Sequence, residues 1–294
     1  MDVGICLPYS EPGITRSTLL DWCRAIEAGP FSAISCGERI SGADAIDMRI
    51  LLAGAAALTA RVRIVPTLYV LPMHDAVRAA KEIASLDLIS DGRVDVVVGT
   101  GGRPDDYRAV GADFVSRNAR LPQQVARMRE IWNGGLPFEG SEPIGPRPVN
   151  GRLPRILGGF AGPQAIAKSA QWADGLYAFS ITGDAGEIRH KFEVFDRAWA
   201  QAGREGKPWK IGGFWYSLAD DAEATLRHYA YEYLRIAGHR IAQPVADSMT
   251  QFTPGRVLDT MRAMKATGID ELFMVPGSAH VSEVERLGPL VARL

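Results

Sequence analysis

The residue types and spacings in this chain that could do chemistry are two glycine-rich turns and one adjacent acid–base pair. Gly158-Gly159-Phe160-Ala161-Gly162-Pro163 follows the short apolar run Arg155-Ile156-Leu157. A strand that runs into glycines and then a Pro-led helix leaves backbone N–H groups free at the positive end of the helix dipole. Glycine lets the backbone come close to a ligand, so Gly158, Gly159, Phe160 and Gly162 suit a phosphate. Gly99-Thr100-Gly101-Gly102 makes a second such turn after Val94–Val98. Either turn alone reads equally well as a tight strand-to-helix connection. Two of them at two strand ends predict a barrel mouth that holds a phosphorylated cofactor. Glu38-Arg39 is the acid–base pair, either catalytic or simply paired with each other and their neighbours.

Other chemistries lack their residues. No His-x-His, His-Glu-x-x-His or i,i+4 His pair offers a metal site. No lysine ends a strand, which argues against a Schiff-base aldolase. There is no Gly-x-Ser-x-Gly elbow. Cys6, Cys23 and Cys36 sit in apolar runs, where burial makes a thiol inert. The remaining strand ends carry Tyr9-Ser10-Glu11, Tyr69-Val70-Leu71-Pro72-Met73-His74, Phe179-Ser180 and Trp215-Tyr216. Aromatics and glycines suit a planar, anionic organic cofactor that brings its own reactivity. Tyr9, Trp215 and Tyr216 are the substrate-side candidates.

The elements that must position these residues alternate regularly. Strand candidates are Val3–Leu7, Phe31–Cys36, Val62–Tyr69, Val94–Gly99, Arg155–Gly158, Gly175–Phe179, Lys210–Tyr216 and Glu271–Val275. Their unalternating Val and Ile content fits strands buried on both faces. Amphipathic helices intervene, with N-terminal signals at Ser17, Asp75, the Asp220/Glu223 pair and Pro254. This alternation predicts parallel strands in one α/β domain over residues 1–294, a closed (β/α)8 TIM barrel. An open doubly wound sheet is the alternative, but Gly-x-Gly-x-x-Gly after the first strand is missing. Two stretches break the rhythm. The Gly/Pro-rich stretch 134–153 is expected as an insertion over the mouth, and 229–251 as a lid or a plain surface excursion.

Composition narrows the partners. Lys plus Arg total 33 against 34 Asp plus Glu, so nothing steers the chain to nucleic acid or an anionic membrane. No long apolar run predicts a membrane span, and the unpaired cysteines suit a reducing cytoplasm. The expected partner is a small-molecule substrate. Met48–Thr59 is apolar almost all round and is expected to be buried, with a homodimer interface as one cover for its outer face.

Several segments resemble the luciferase-like monooxygenase family. They are Leu71–Lys81, Leu86-Asp87-Leu88-Ile89-Ser90-Asp91-Gly92-Arg93, and Val98–Gly102 followed by Tyr107, Gly111, Phe114 and Arg117. Trp132, Gly158-Gly159 and Ala173-Asp174-Gly175 continue the pattern. The resemblance implies a (β/α)8 oxidoreductase that uses FMN or the deazaflavin coenzyme F420. Ser35–Ile40 is similar to the Gly-Glu-Arg variant of the strand-two end in F420-type members. Other members carry Asp-His there, and that His takes part in catalysis; here Glu38 and Arg39 stand in those places. The acid that some members carry after the strand-four glycines is Gly102 here. The family's ring rests on a strand-three bulge, often with a non-proline cis peptide, which falls near Leu68, Tyr69 and Val70. The phosphate is implied at Gly158, Gly159 and the helix opened by Gly162-Pro163, and Thr100, Gly101 and Gly102 flank the cofactor.

The resemblance therefore implies an F420-dependent oxidoreductase that passes a hydride between the deazaflavin and a small organic substrate. Arg39 is then expected to stabilise the reduced cofactor or orient a substrate carbonyl. An FMN-dependent monooxygenase is the alternative within the family. From other classes come a non-catalytic flavin- or F420-binding barrel and a metal-independent lyase or isomerase.

Overall fold

The computed structural model describes residues 1–294. Eight strands alternate with helices: β1 (Asp2–Cys6), β2 (Ala33–Cys36), β3 (Arg63–Tyr69), β4 (Val96–Val98), β5 (Ile156–Gly159), β6 (Gly175–Phe179), β7 (Trp209–Tyr216) and β8 (Glu271–Pro276). All neighbours pair in parallel and β8 closes on β1, giving a (β/α)8 barrel. Each predicted strand is present with ends shifted by at most two residues. Continuous apolar character read them correctly because one face fills the barrel and the other meets helices.

The barrel interior is packed by Ala33, Val65, Val97, Leu157, Tyr177, Ile211 and Phe273. The alternate residues, such as Ile34, Ile64, Val96 and Leu176, join the core beneath the helices. Those helices are α1 (Arg16–Ala28), α2 (Met48–Leu58), α3 (Ala76–Ile89), α4 (Pro104–Ala109), α5 (Arg117–Trp132), α6 (Pro163–Ser169), α7 (Ala185–Gln201), α8 (Ala222–Leu234), α9 (His239–Ser248), α10 (Pro254–Lys265) and α11 (Ser282–Val291). No helix is long and apolar enough to cross a membrane.

Asp75 caps α3 and Pro254 opens α10, as expected. Two caps differ. Thr15, not Ser17, caps α1, because Thr15 and Thr18 satisfy each other's backbone N–H groups in a reciprocal box. Asp221 precedes α8, and Asp220 instead pairs with Arg286 at 2.5 Å. The outer side of α2 is left open by the rest of the chain: Ile50 is 73% exposed, and Gly54, Ala57 and Leu58 share that exposure, so no loop of this chain covers it.

The Gly/Pro-rich stretch 134–153 does not cover the mouth. It runs from a helix to the start of a strand, and such connections lie at the N-terminal end of a barrel. The Val149 N–H donates to Asp87 at 2.9 Å, and Arg152 reaches Asp95 at the foot of β4 at 2.5 Å. The 229–251 stretch follows a strand end instead. It is helical, formed by the end of α8, a short turn and α9, and it sits at the mouth.

An ionic collar closes that N-terminal end. Asp95 accepts from Arg63, Arg152 and Arg155, and Glu271 accepts from Arg63 and Ser32. The Arg155 guanidinium lies 4.1 Å over the Trp209 ring. This end is therefore sealed by paired charge, and the C-terminal end carries the opening.

Candidate active site

At the C-terminal mouth a cavity of about 520 Å³ opens between two chemically different arcs. On one side β3, β4 and β5 offer a mostly small-residue and backbone wall. It comprises Leu68, Val70, Thr100, Gly101, Gly102, Gly159 and Gly162, with Phe160 at its rim. On the other side β1, β6, β7, β8 and α8 offer Tyr9, Tyr177, Phe179, Trp215, Val275, Tyr229 and Tyr233.

The first arc is shaped by β3. Its register against β4 shifts between Thr67 and Tyr69, and the Thr67–Leu68 peptide is cis. The irregularity turns both Thr67 and Leu68 toward the cavity. The Leu68 side chain lies across the neighbouring strand ends. A Cβ on Gly99 would come 2.8 Å from its Cδ1, and one on Gly159 only 2.0 Å from its Cδ2. These two glycines exist to seat Leu68. Gly101 has φ +58° and passes under Val70, whose Cγ1 would be 2.8 Å from an added Cβ. Tyr107 fixes this turn by donating from its hydroxyl to the Thr100 carbonyl at 2.6 Å. Gly102 and Gly162 have nothing within 4 Å of an added Cβ, so the wall is open there.

Glu38 lines the cavity with both oxygens committed. Oε2 accepts the Val70 N–H at 2.7 Å, and Oε1 meets His74 Nε2 at 2.6 Å. The His74 carbonyl in turn accepts from Gln124 at 2.7 Å. The carboxylate is thus a bracket between the β2 end and the segment after β3. Arg39 is not beside it. Its side chain turns to a second, polar cavity of about 610 Å³, and its Nε donates to the Ser41 carbonyl at 2.6 Å. Arg39 does not line the mouth cavity, but it acts on the Tyr229 phenol, which lines both cavities. Glu11 lines the second cavity too, and burial raises its pKa.

Three other expected residues face away. Tyr69 points into the helix layer, where its hydroxyl donates to Glu82 at 2.8 Å. Tyr216 points the same way and donates to the Glu283 carbonyl at 3.1 Å. An added Cβ on Gly158 would meet Phe160 and Ser169 at 3.0 Å, so this glycine makes room outside the barrel rather than at a phosphate. The thiols are inert as expected: burial pushes Cys6 up to about 12 and Cys23 up to about 11.

Sequence reasoning missed His74 as the partner of Glu38, and it missed Tyr177, Tyr229 and Tyr233. Tyr177 was findable, since alternation along Gly175–Phe179 puts Tyr177 and Phe179 on one face. Tyr229 and Tyr233 are four apart, the spacing of one helix face. Both pack edge-on against Trp215, at 5.3 and 4.9 Å.

Known proteins are similar to this chain in sequence and in fold. An uncharacterized protein of Mycobacterium tuberculosis, Rv0953c, is 29% identical over 170 residues, 55% of this chain and 59% of its own length. The pyrimidine monooxygenase RutA of Methylobacterium radiotolerans is 27% identical over 195 residues, 61% of this chain and 50% of its own. The chain thus spans a little over half the length of the curated relatives it matches. An F420-dependent secondary alcohol dehydrogenase, solved with an F420–acetone adduct, superposes with a TM-score of 0.79. It is 17% identical, and the match covers 99% of this chain and 98% of that one. The model of the luciferase-like monooxygenases matches residues 1–287, and the chain belongs to that family.

Proposed function

We propose that this protein is an F420-dependent oxidoreductase that moves a hydride between the deazaflavin and a small organic substrate. The observation that carries this reading is the two-sided cavity, a thin wall around Leu68 facing an aromatic wall. A flat tricycle fits a slot whose one face is the Leu68–Val70 bulge and whose edges are glycines without side chains. Its anionic tail would run along Gly101, Gly102 and the open backbone at Gly162, the N-cap of α6, which has no side-chain cap. When bound there, F420 supplies a carbon that gives or accepts a hydride. The chain's own part is to orient and to exclude water. Leu68 and Val70 support one face, and the aromatic arc leaves space for a substrate against the other. The Glu-Arg at the β2 end favours F420 over FMN. The similarity to a pyrimidine monooxygenase favours a second reading, an FMN-dependent monooxygenase.

Titrating the purified protein with F420 and with FMN, read by quenching of cofactor fluorescence, tests the choice. F420 should bind at least tenfold more tightly. The reverse preference would replace the first reading by the second, and no binding of either would end both.

The Glu38 bracket gives a further test of the slot. In Glu38→Ala the Val70 N–H loses its acceptor, which costs about 1–3 kcal/mol of stability. The loosened bulge should weaken cofactor binding about tenfold, equivalent to about 1.4 kcal/mol. Glu38→Gln keeps an acceptor for Val70 and should recover most of both losses. Unchanged cofactor affinity in Glu38→Ala would detach the bracket from the slot.

A further inference from the structure

The tyrosines divide by where their hydroxyls go. Of eight in the chain, Tyr69, Tyr107, Tyr216 and Tyr231 bond within the protein, to Glu82, the Thr100 carbonyl, the Glu283 carbonyl and His239. Tyr9, Tyr177, Tyr229 and Tyr233 have no protein partner, and all four line the mouth cavity. Tyr9 and Tyr177 are only 8% and 7% exposed. Their hydroxyls nevertheless reach the cavity surface, open to a ligand there.

The four belong to one cluster. Burial pushes the Tyr9, Tyr177 and Tyr229 phenols well above their usual pKa, and the nearby Tyr233 adds to each. They are therefore neutral donors throughout the physiological range. Around them the wall is aromatic and edge-packed. Ring centroids run 6.0 Å from Tyr177 to Phe179 and 5.9 Å from Phe179 to Trp215. Two cations come near this arc: the Arg103 guanidinium lies 5.3 Å over the Tyr233 ring, and Arg39 acts on the Tyr229 phenol. Phenol donors set in aromatic walls favour ring-bearing molecules with carbonyl oxygens.

We infer that the aromatic arc is a substrate-recognition site for aromatic carbonyl compounds, with the Tyr9 and Tyr177 hydroxyls donating to the carbonyl oxygen and Tyr229 and Tyr233 closing over the ring. This deepens the proposed function, since it names the substrate class of the same cavity, and it places no cofactor on these hydroxyls.

The test is calorimetric titration with two probes, α-tetralone and tetralin. Each is measured on the protein alone and on the protein saturated with whichever of F420 or FMN it binds. The ketone should bind at least tenfold more tightly than the hydrocarbon. The Tyr9→Phe/Tyr177→Phe double variant keeps both rings. It should bring ketone and hydrocarbon to within twofold of each other while leaving hydrocarbon and cofactor affinities unchanged. Each single variant should lose part of the preference, which keeps the test open should the double variant fold poorly. Equal binding of ketone and hydrocarbon would overturn the inference, as would failure of the ketone to bind or a preference that survives both substitutions. A double variant that weakens F420 or FMN instead would assign the hydroxyls to the cofactor and also overturn it. If neither cofactor binds yet the ketone preference holds, the proposed redox function fails and this recognition site stands.

Discussion

Replacing Asp95 with alanine should cost about 3–5 kcal/mol of stability, because several hydrogen bonds to one buried carboxylate, each worth about 1.5–3 kcal/mol, are lost together. That is a large share of the about 5–15 kcal/mol typical of a folded protein. The Asp95 side chain is 2% exposed and meets three arginines. Arg155 binds it through Nη2 at 2.7 Å, Arg63 through Nη1 at 3.0 Å, and Arg152 through Nη2 at 2.5 Å. Its Oδ1 also accepts the Arg155 backbone N–H at 3.0 Å, so the carboxylate fastens the foot of β4 to that of β5. Removing it leaves the cations facing one another beneath the barrel, with Glu271 as the remaining acid for Arg63.

The pH dependence has a definite sign. Burial alone would raise the Asp95 pKa, but Arg155, Arg152 and Arg63 outweigh it and hold the carboxyl below its usual value. A lowered folded-state pKa stabilises fully above the unfolded value of about 3.9, and that contribution is lost as pH falls through the folded value. Urea denaturation of the wild type and Asp95→Ala should therefore give a constant gap between pH 5 and 8, narrowing on acidification below about pH 4. A gap under about 1 kcal/mol at pH 7 would show the collar to be no better than a surface pair.

The sequence carried the barrel because its strands are buried on both faces, a condition that writes itself into continuous Val, Ile and Ala. It carried the site less well, for a reason of parity. Glu38 with Arg39, Leu68 with Tyr69, Gly158 with Gly159 and Trp215 with Tyr216 were each taken as a pair. Successive side chains on extended backbone point to opposite faces, so one member of each lies at the cavity and the other does not. Where parity breaks, at the β3 bulge, neighbours Thr67 and Leu68 both face inward. The Glu38–His74 contact joins residues 36 apart in sequence, and no local pattern encodes it. The stretch 134–153 was misplaced because glycine and proline report irregular backbone, not which end of the barrel it lies on. Following a helix and preceding a strand already decided that.

The glycines were legible as a signal and misread in part as to cause, and this gives the second large effect. Gly159→Val should weaken cofactor binding about 100-fold, about 2.8 kcal/mol at 1.4 kcal/mol per tenfold. The added Cβ would sit 2.0 Å from Leu68 Cδ2 and 2.9 Å from Val97 Cγ1. Val97 is fixed in the barrel interior, whereas Leu68 Cδ2 is the end of a flexible side chain that lines the slot and is the atom that must give way. Stability should fall as well, by the about 1–3 kcal/mol of an overpacked core. Leu68→Ala in the Gly159→Val background removes the displaced atoms and should recover most of the lost affinity. The same substitution in the wild type should cost affinity, because it lowers the floor. A double-mutant cycle read by cofactor titration then gives a coupling of more than about 1 kcal/mol, as expected for residues in contact. Normal binding by Gly159→Val would show that Leu68 does not support the ring. Additive effects of the two substitutions would trace the loss to Val97 or the β5 backbone, and Leu68 would no longer be the floor of the site.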